Sequence, residues 1–147
     1  MSDPDAKAIV RRFFDEAWNQ KQVKRLEEYI SAENVHHGIS ADGLYGPEQM
    51  RWVMKNWHTG FPDFKYHVDA IASEDGMVAV LTTFTGTQTG PFSFDGKSLT
   101  PSGRSIRVAE MFFSGWRARR WLSPGPRGTD NSCLANLAAN EYEVECA

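Results

Sequence analysis

The sequence predicts an α+β domain, helices first and antiparallel strands after, with the helices packed on one face of the sheet. Three observations carry this. Apolar residues recur at helical spacing from the N-terminus to Trp57. After Pro62 the period becomes two, as a half-buried strand requires. Asp75-Gly76 then separates two strand-like runs at the distance of a tight hairpin.

Each element has its own signal. Ser2 or Asp3 can cap the first helix, and Pro4 in its first turn costs no hydrogen bond. Ile9, Phe13, Ala17 and Val10, Phe14, Trp18 form one broad apolar stripe, which Asn19-Gln20 breaks. A shorter helix follows, with Val23, Leu26 and Ile30 inward and Lys21, Lys24, Arg25, Glu27 and Glu28 outward. The stretch NVHHGISADGLYGPEQM (34–50) is a loop holding two of the chain's four histidines. Gly46-Pro47 opens a third helix with Met50, Val53, Met54 and Trp57 on one face, stopped by Gly60 and Pro62. FKYHVDAIA (64–72) pairs with MVAVLTTFTGTQTG (77–90) across Asp75-Gly76. GPFSFDGKSLTPSG (90–103) predicts a loop, and RSIRVAEMFF (104–113) a further strand. No internal repeat and no domain boundary precedes residue 114.

Composition narrows the function classes. The 147 residues suffice for one ordinary domain with a real core. A net charge of −3 argues against nucleic acid as a partner, and the basic fragment WRARRW (116–121) is too small a patch to reverse that. The longest apolar run, MVAVL (77–81), is strand-sized, so no membrane span is expected. The start MSDPDAK lacks a basic-then-apolar pattern, and Cys133 and Cys146 form no metal or disulfide framework, which points to the cytoplasm. The aromatic share of 12% suits either a thick core or an apolar cavity.

Glu110 is the most informative candidate for chemistry. Alternation puts Ile106, Val108, Glu110 and Phe112 on one face of the last strand, and Ser105, Arg107, Ala109, Met111 and Phe113 on the other. A lone carboxylate among apolar neighbours would have its pKa raised toward the range useful for proton transfer. The alternative is that Glu110 pairs with an arginine or lies on a solvated face. His36 and His37 are adjacent and point opposite ways in an extended loop, so one of them can face a given cavity. Either could serve as acid or base, or simply bond to backbone. Phe13, Phe14, Trp18, Trp57 and Phe61 could wall a pocket for a flat apolar ligand, or be plain core. No metal-ligand spacing, nucleophile triad, phosphate loop or dinucleotide fingerprint is present.

VRRFFDEAWNQ (10–20), GLYGPEQM (43–50), FPDFKYHV (61–68), TGTQTGPF (85–92) and PSGRSIRV (101–108) resemble, in order and spacing, the SnoaL-like polyketide cyclases, also described as predicted ester cyclases. The resemblance covers about residues 9–113. It implies the cone-shaped α+β barrel shared with nuclear transport factor two and ketosteroid isomerase, in which three helices and a bent antiparallel sheet enclose a cavity. It implies a homodimer. It also implies ring closure of an anthracycline-type aromatic polyketide by an intramolecular aldol step, without metal or organic cofactor. The family includes proteins associated with polyketide hydroxylation too. Carried over, the polar position after the second helix falls on His36. The acidic or histidine position of the family's third strand falls on Glu110 or, one step on, Met111. The expected site is then Glu110 and His36 for catalysis, with Phe14, Trp18, His37, Trp57, Phe61 and Phe112 against the substrate.

The tail departs from the resemblance. Cyclases of the family carry a catalytic aspartate on a last strand, yet Ser114 to Gly128 contains no acidic residue. GC-rich back-translation of residues 114–133 in a shifted frame can give RVEGAEMVEPWASRDGQLL, which restores the family's turn, its E-x-W strand and its closing acidic residue, though not that aspartate, and would make the tail a sequencing slip or a genuine frameshift. An intact mass matching 16.6 kDa, with tail peptides confirmed, would rule out a sequencing error. The missing aspartate moves weight from a cyclase toward a hydroxylation-associated member acting on the same substrate class. A non-catalytic binding module on the same scaffold is the third reading.

Overall fold

The computed structural model describes residues 3–34, 43–94, 96–117 and 120–122. His36, His37, both cysteines and the tail from residue 123 lie outside them. Helix α1 (Asp3–Arg12) runs directly into a π-helical segment, Phe13–Asn19. A 3₁₀ turn (Val23–Arg25) and the single-turn α2 (Leu26–Tyr29) follow, then α3 (Gly46–Gly60). The strands are β1 (Lys65–Glu74), β2 (Met77–Thr87), β3 (Phe92–Phe94), β4 (Lys97–Leu99), β5 (Ser105–Arg117) and β6 (Arg120–Leu122). The α+β class expected from sequence is therefore what forms, helices against a curved antiparallel sheet.

The main sheet has the order β1-β2-β5-β6, all antiparallel, and β3-β4 form a separate two-stranded ladder. That hairpin corrects the expected loop at 90–103. Phe92 and Phe94 alternate with Ser93, and both rings are buried, so a short strand survives within a Gly/Pro-rich stretch. The last long strand also runs on to Arg117, beyond its expected end. The first helix is not α-helical to Trp18: Gln20 N–H bonds Asp15 O at 2.9 Å, five residues back, as in a π turn.

The core lies between the helices and the inner sheet face. Val10, Phe13, Phe14, Ala17 and Trp18 from the first helical run, Leu26, Tyr29 and Ile30 from the second, and Met50, Val53, Met54 and Trp57 from α3 are all buried. Burial of each large apolar side chain is worth roughly 1.5–3 kcal/mol. They meet Tyr66, Val78, Val80, Phe84, Ile106 and Val108 from the strands. On the outside of the first helical run, Glu16 receives Arg12 Nε (3.0 Å), Arg25 (3.1 Å) and the Tyr29 hydroxyl (2.5 Å). These donors, Arg12 first, hold its carboxyl down at about 2.

One irregularity in β1 decides what faces inward. Ala70 pairs with Leu81 and Val68 with Thr82, leaving Asp69 as a bulge. From Ala70 to Glu74 the even-numbered residues point outward, but the bulge reverses the phase, so Tyr66 points into the core. Thr83 Oγ1 donates to Asp69 Oδ2 at 2.6 Å and braces the bulge from the neighbouring strand.

Candidate active site

Strand β5 keeps the alternation read from its sequence. Ile106 and Val108 are buried, Glu110 and Phe112 are partly buried, and Met111 is 44% exposed on the opposite face. Of the two positions left open, Glu110 is the one on the inner face.

Its partner is not an arginine. The Tyr66 hydroxyl donates to Glu110 Oε1 at 2.6 Å, from β1 across the intervening β2. Thr82, fully buried on β2 and in register with Glu110, donates its hydroxyl to the Glu110 carbonyl at 3.4 Å. Apolar surroundings strip water from the carboxyl and push its pKa up to about 7, while the Tyr66 hydrogen bond pulls the other way. Burial, and then the charge of Glu110, push Tyr66 well above the ordinary tyrosine range, so its hydroxyl stays a donor. The pair is thus a carboxyl poised to exchange a proton near neutrality and a phenol that does not titrate there.

Aromatic rings surround the pair. Phe14 lies 4.9 Å from Tyr66 and 5.7 Å from Phe112 by ring centroids, and Trp18 lies 5.0 Å from Tyr66. Both come from the π-helical segment, where the pairs Phe13/Phe14 and Ala17/Trp18 bury together. Trp57 and Phe61 sit one ring layer further back. They touch each other at 5.3 Å and reach Tyr66 through Phe84, which is 5.2 Å from Trp57 and 5.6 Å from Tyr66. Glu110, Phe14, Phe112 and Trp18 are thus brought to one place, Trp57 and Phe61 are packed behind it, and His36 and His37 lie outside the described residues.

Two neighbours went unread in the sequence. Tyr66 lies within the FPDFKYHV stretch but was not singled out there, and the bulge at Asp69 breaks the alternation that the rest of β1 would have shown. His58, on α3, donates Nε2–H to the Trp18 carbonyl at 3.1 Å and packs edge-on to the Trp18 ring at 5.7 Å. Burial first, and Lys21 second, lower its pKa, which favours the neutral ring. Its helical spacing from Met54 and Phe61 was the available signal.

Among the described residues, no cluster of three or more His, Cys, Asp or Glu could hold a metal ion. No helix among them is long and apolar enough to cross a membrane.

Comparison with known proteins agrees with this architecture. A SnoaL-like polyketide cyclase from Jannaschia sp. CCS1, so described on a provisional basis, superposes with a TM-score of 0.73 at 21% identity, over 97% of this chain and 98% of its own. TsrD from Streptomyces laurentii gives 0.70 at 21% identity, over 82% and 85%. AclR from Streptomyces galilaeus, a candidate hydroxylase, gives 0.65 at 24% identity, over 82% and 76%. At these identities the likeness is one of fold. No curated protein sequence matches the chain. The sequence profile of the SnoaL-like polyketide cyclases matches residues 8–120, most of the chain, and the protein belongs to that family.

Proposed function

We propose that this protein is a cofactor-free polyketide-tailoring enzyme of the cytoplasm, acting on a polycyclic aromatic substrate of the anthracycline type, with Glu110 as its acid/base. The observation that carries the reading is a carboxyl on the inner sheet face, poised near neutrality and hydrogen-bonded to Tyr66, whose ring packs against Phe14 and Phe112. A planar substrate stacks on such rings, and the carboxyl meets its edge. In this reading His36 helps orient a substrate carbonyl or hydroxyl, His37 contributes to substrate binding, and Trp18, Trp57 and Phe61 back the apolar wall.

The chemistry closes without a co-reactant. Ionised Glu110 takes the proton from a carbon flanked by two carbonyls. The electron pair left on that carbon forms a bond to a second carbonyl carbon of the same molecule. The C=O pair moves to oxygen, which takes the proton back from Glu110. The enzyme contributes orientation and one proton carrier, terms worth several orders of magnitude each.

One sequence observation favours a second reading. The absence of an acidic residue from Ser114 to Gly128 removes the family's cyclase aspartate, which suits a hydroxylation-associated role on the same class of substrate. Dioxygen would then supply the oxygen atom, with an easily oxidised hydroquinone-like substrate and a reductase partner supplying the electrons. Both readings are tested by titrating the protein with anthraquinone-type polyketides, following tryptophan fluorescence, and weighing the products. Ring closure leaves composition unchanged apart from loss of water, whereas hydroxylation adds an oxygen atom. Saturable binding without any product supports the binding module, and no binding across a varied panel overturns all three.

A homodimer through the outer sheet face belongs to the same proposal. Met77, Leu81, Met111 and Phe113 are 36–44% exposed there, with Leu81 and Met111 in register. Glu74 and Asp75 lie at one end of this patch, Lys65 and Arg107 at the other. A second copy stacked with strands reversed sets acid over base and apolar on apolar.

A further inference from the structure

Asn19 ends the π-helical segment, and its side chain pairs with the main chain of Tyr66 as a neighbouring strand would. Its Nδ2 donates to the Tyr66 carbonyl at 3.0 Å, and the Tyr66 N–H donates to Oδ1 at 2.8 Å. β1 is an edge strand, so these backbone groups have no strand of their own to meet. Two bonds to one residue fix the peptide planes on both sides of it, and with them the direction of its Cα–Cβ bond. Lys21, held in the left-handed region at φ 58°, adds a third tie by donating to the Pro62 carbonyl at 3.2 Å. The exit of the first helical run is therefore fastened to the entrance of β1.

Tyr66 is caught between this clamp and the bulge at Asp69, which turns it inward. Its ring is meanwhile flanked by Phe14 and Trp18 from the same segment that ends in Asn19. We propose that Asn19 is a positioning residue that holds the Tyr66 hydroxyl on Glu110, the π-helical turn being the device that delivers its amide to β1. This rests on the reading of Glu110 as the acid/base for its functional meaning, but not for its test.

The molecule contains its own control. Asn56 on α3 makes the same two-bond clamp on Ser93 (2.8 and 2.9 Å), on the β3-β4 hairpin rather than the sheet that carries Glu110. Both clamps should contribute similarly to stability, and only one should reach the carboxyl.

The test is a carbon-13 NMR titration of the Glu110 side chain in the full-length protein without substrate, its signal assigned by loss in E110Q. Asn19→Ala should raise the Glu110 midpoint in the same direction as Tyr66→Phe, since both weaken the hydrogen bond that favours the ionised form. Asn19→Ala combined with Tyr66→Phe should match Tyr66→Phe alone, and Asn56→Ala should leave the midpoint in place. A folded Asn19→Ala protein with an unmoved midpoint would overturn the proposal. So would a shift that persists in the Tyr66→Phe background, or an equal shift in Asn56→Ala. Asn19→Ser, which keeps a hydroxyl too short to span both bonds, is read by the same criteria if the alanine variant does not fold. Because no substrate is present, a failed search for turnover leaves this result standing, and a failed titration leaves the proposed reaction untouched.

Discussion

The Tyr66 hydroxyl meets Glu110 Oε1 at 2.6 Å, although 44 residues separate them and β2 lies between their strands. The contact reaches across β2 on the inner face, where Tyr66 is in register with Phe84 and Glu110 with Thr82. It satisfies one oxygen of a carboxyl that its surroundings would otherwise keep protonated. It therefore sets how much of that carboxyl is available as a base at neutral pH.

Tyr66→Phe removes a hydrogen bond that favours the ionised form, so the Glu110 midpoint should rise above about 7. A net hydrogen bond of this kind corresponds to about one pH unit. Proton abstraction needs ionised Glu110, so activity at pH 7 should fall several-fold and recover by pH 9. A pH–rate profile checks this, and an unshifted acid limb contradicts it.

Glu110 also makes stability depend on pH with a definite sign. Its folded pKa, about 7, lies above the ordinary value of 4.5, so the native state holds a proton that the unfolded chain has released. Its contribution is fully present below 4.5 and is lost as pH rises through 7. Glu110→Gln should leave stability near pH 4.5 little changed and raise it at pH 8, by an amount on the order of 3 kcal/mol. Urea denaturation at the two pH values reads the difference, and equal effects at both would contradict the assignment.

The fold was largely legible because its signals are local. Gly46-Pro47 and Gly60 bracket α3, Asp75-Gly76 makes the hairpin, and alternation from Ile106 to Phe112 carries Glu110 inward. The site was half legible. Glu110, Phe14 and Phe112 follow from period alone. Tyr66 shares the alternation of Phe64 and Val68, but its partnership with Glu110 is not legible, because nothing in KYHVDAIA marks the bulge at Asp69 that reverses the phase of the rest of β1. The clamp by Asn19 was equally hidden: an Asn after a helical stripe reads as a helix stop, and its amide finds Tyr66 only through tertiary packing. The small hairpin at 92–99 was missed because Gly, Pro and Ser dominate the composition while Phe92 and Phe94 supply the packing.

Gly90 should not tolerate a side chain. Its N–H bonds the Gly60 carbonyl at 3.1 Å, and an added Cβ would stand 2.0 Å from the Thr59 carbonyl oxygen. Gly90→Ala must push the connection between β2 and β3 away from the end of α3 and should cost about 2 kcal/mol or more, typical of overpacking against backbone. Thermal unfolding measures it, and a Tm equal to wild type would show that the close approach is not maintained.

Leu81→Glu should abolish self-association while leaving the fold intact. It places a carboxylate at the centre of the exposed apolar patch beside Met111, where it would meet its own copy. Light scattering should report twice the chain mass for the wild type and the single-chain mass for the variant. A wild type that is monomeric at high concentration removes the proposed interface.

The most direct measurement compares wild type and Glu110→Gln on the same anthraquinone-type polyketide, recording binding by tryptophan fluorescence and turnover by product mass. Gln keeps the shape and the acceptor for Tyr66 but cannot carry the proton. The expected result is unchanged affinity with turnover reduced about 100-fold or more. Turnover equal to wild type in the Gln variant would contradict the role of Glu110 as the acid/base.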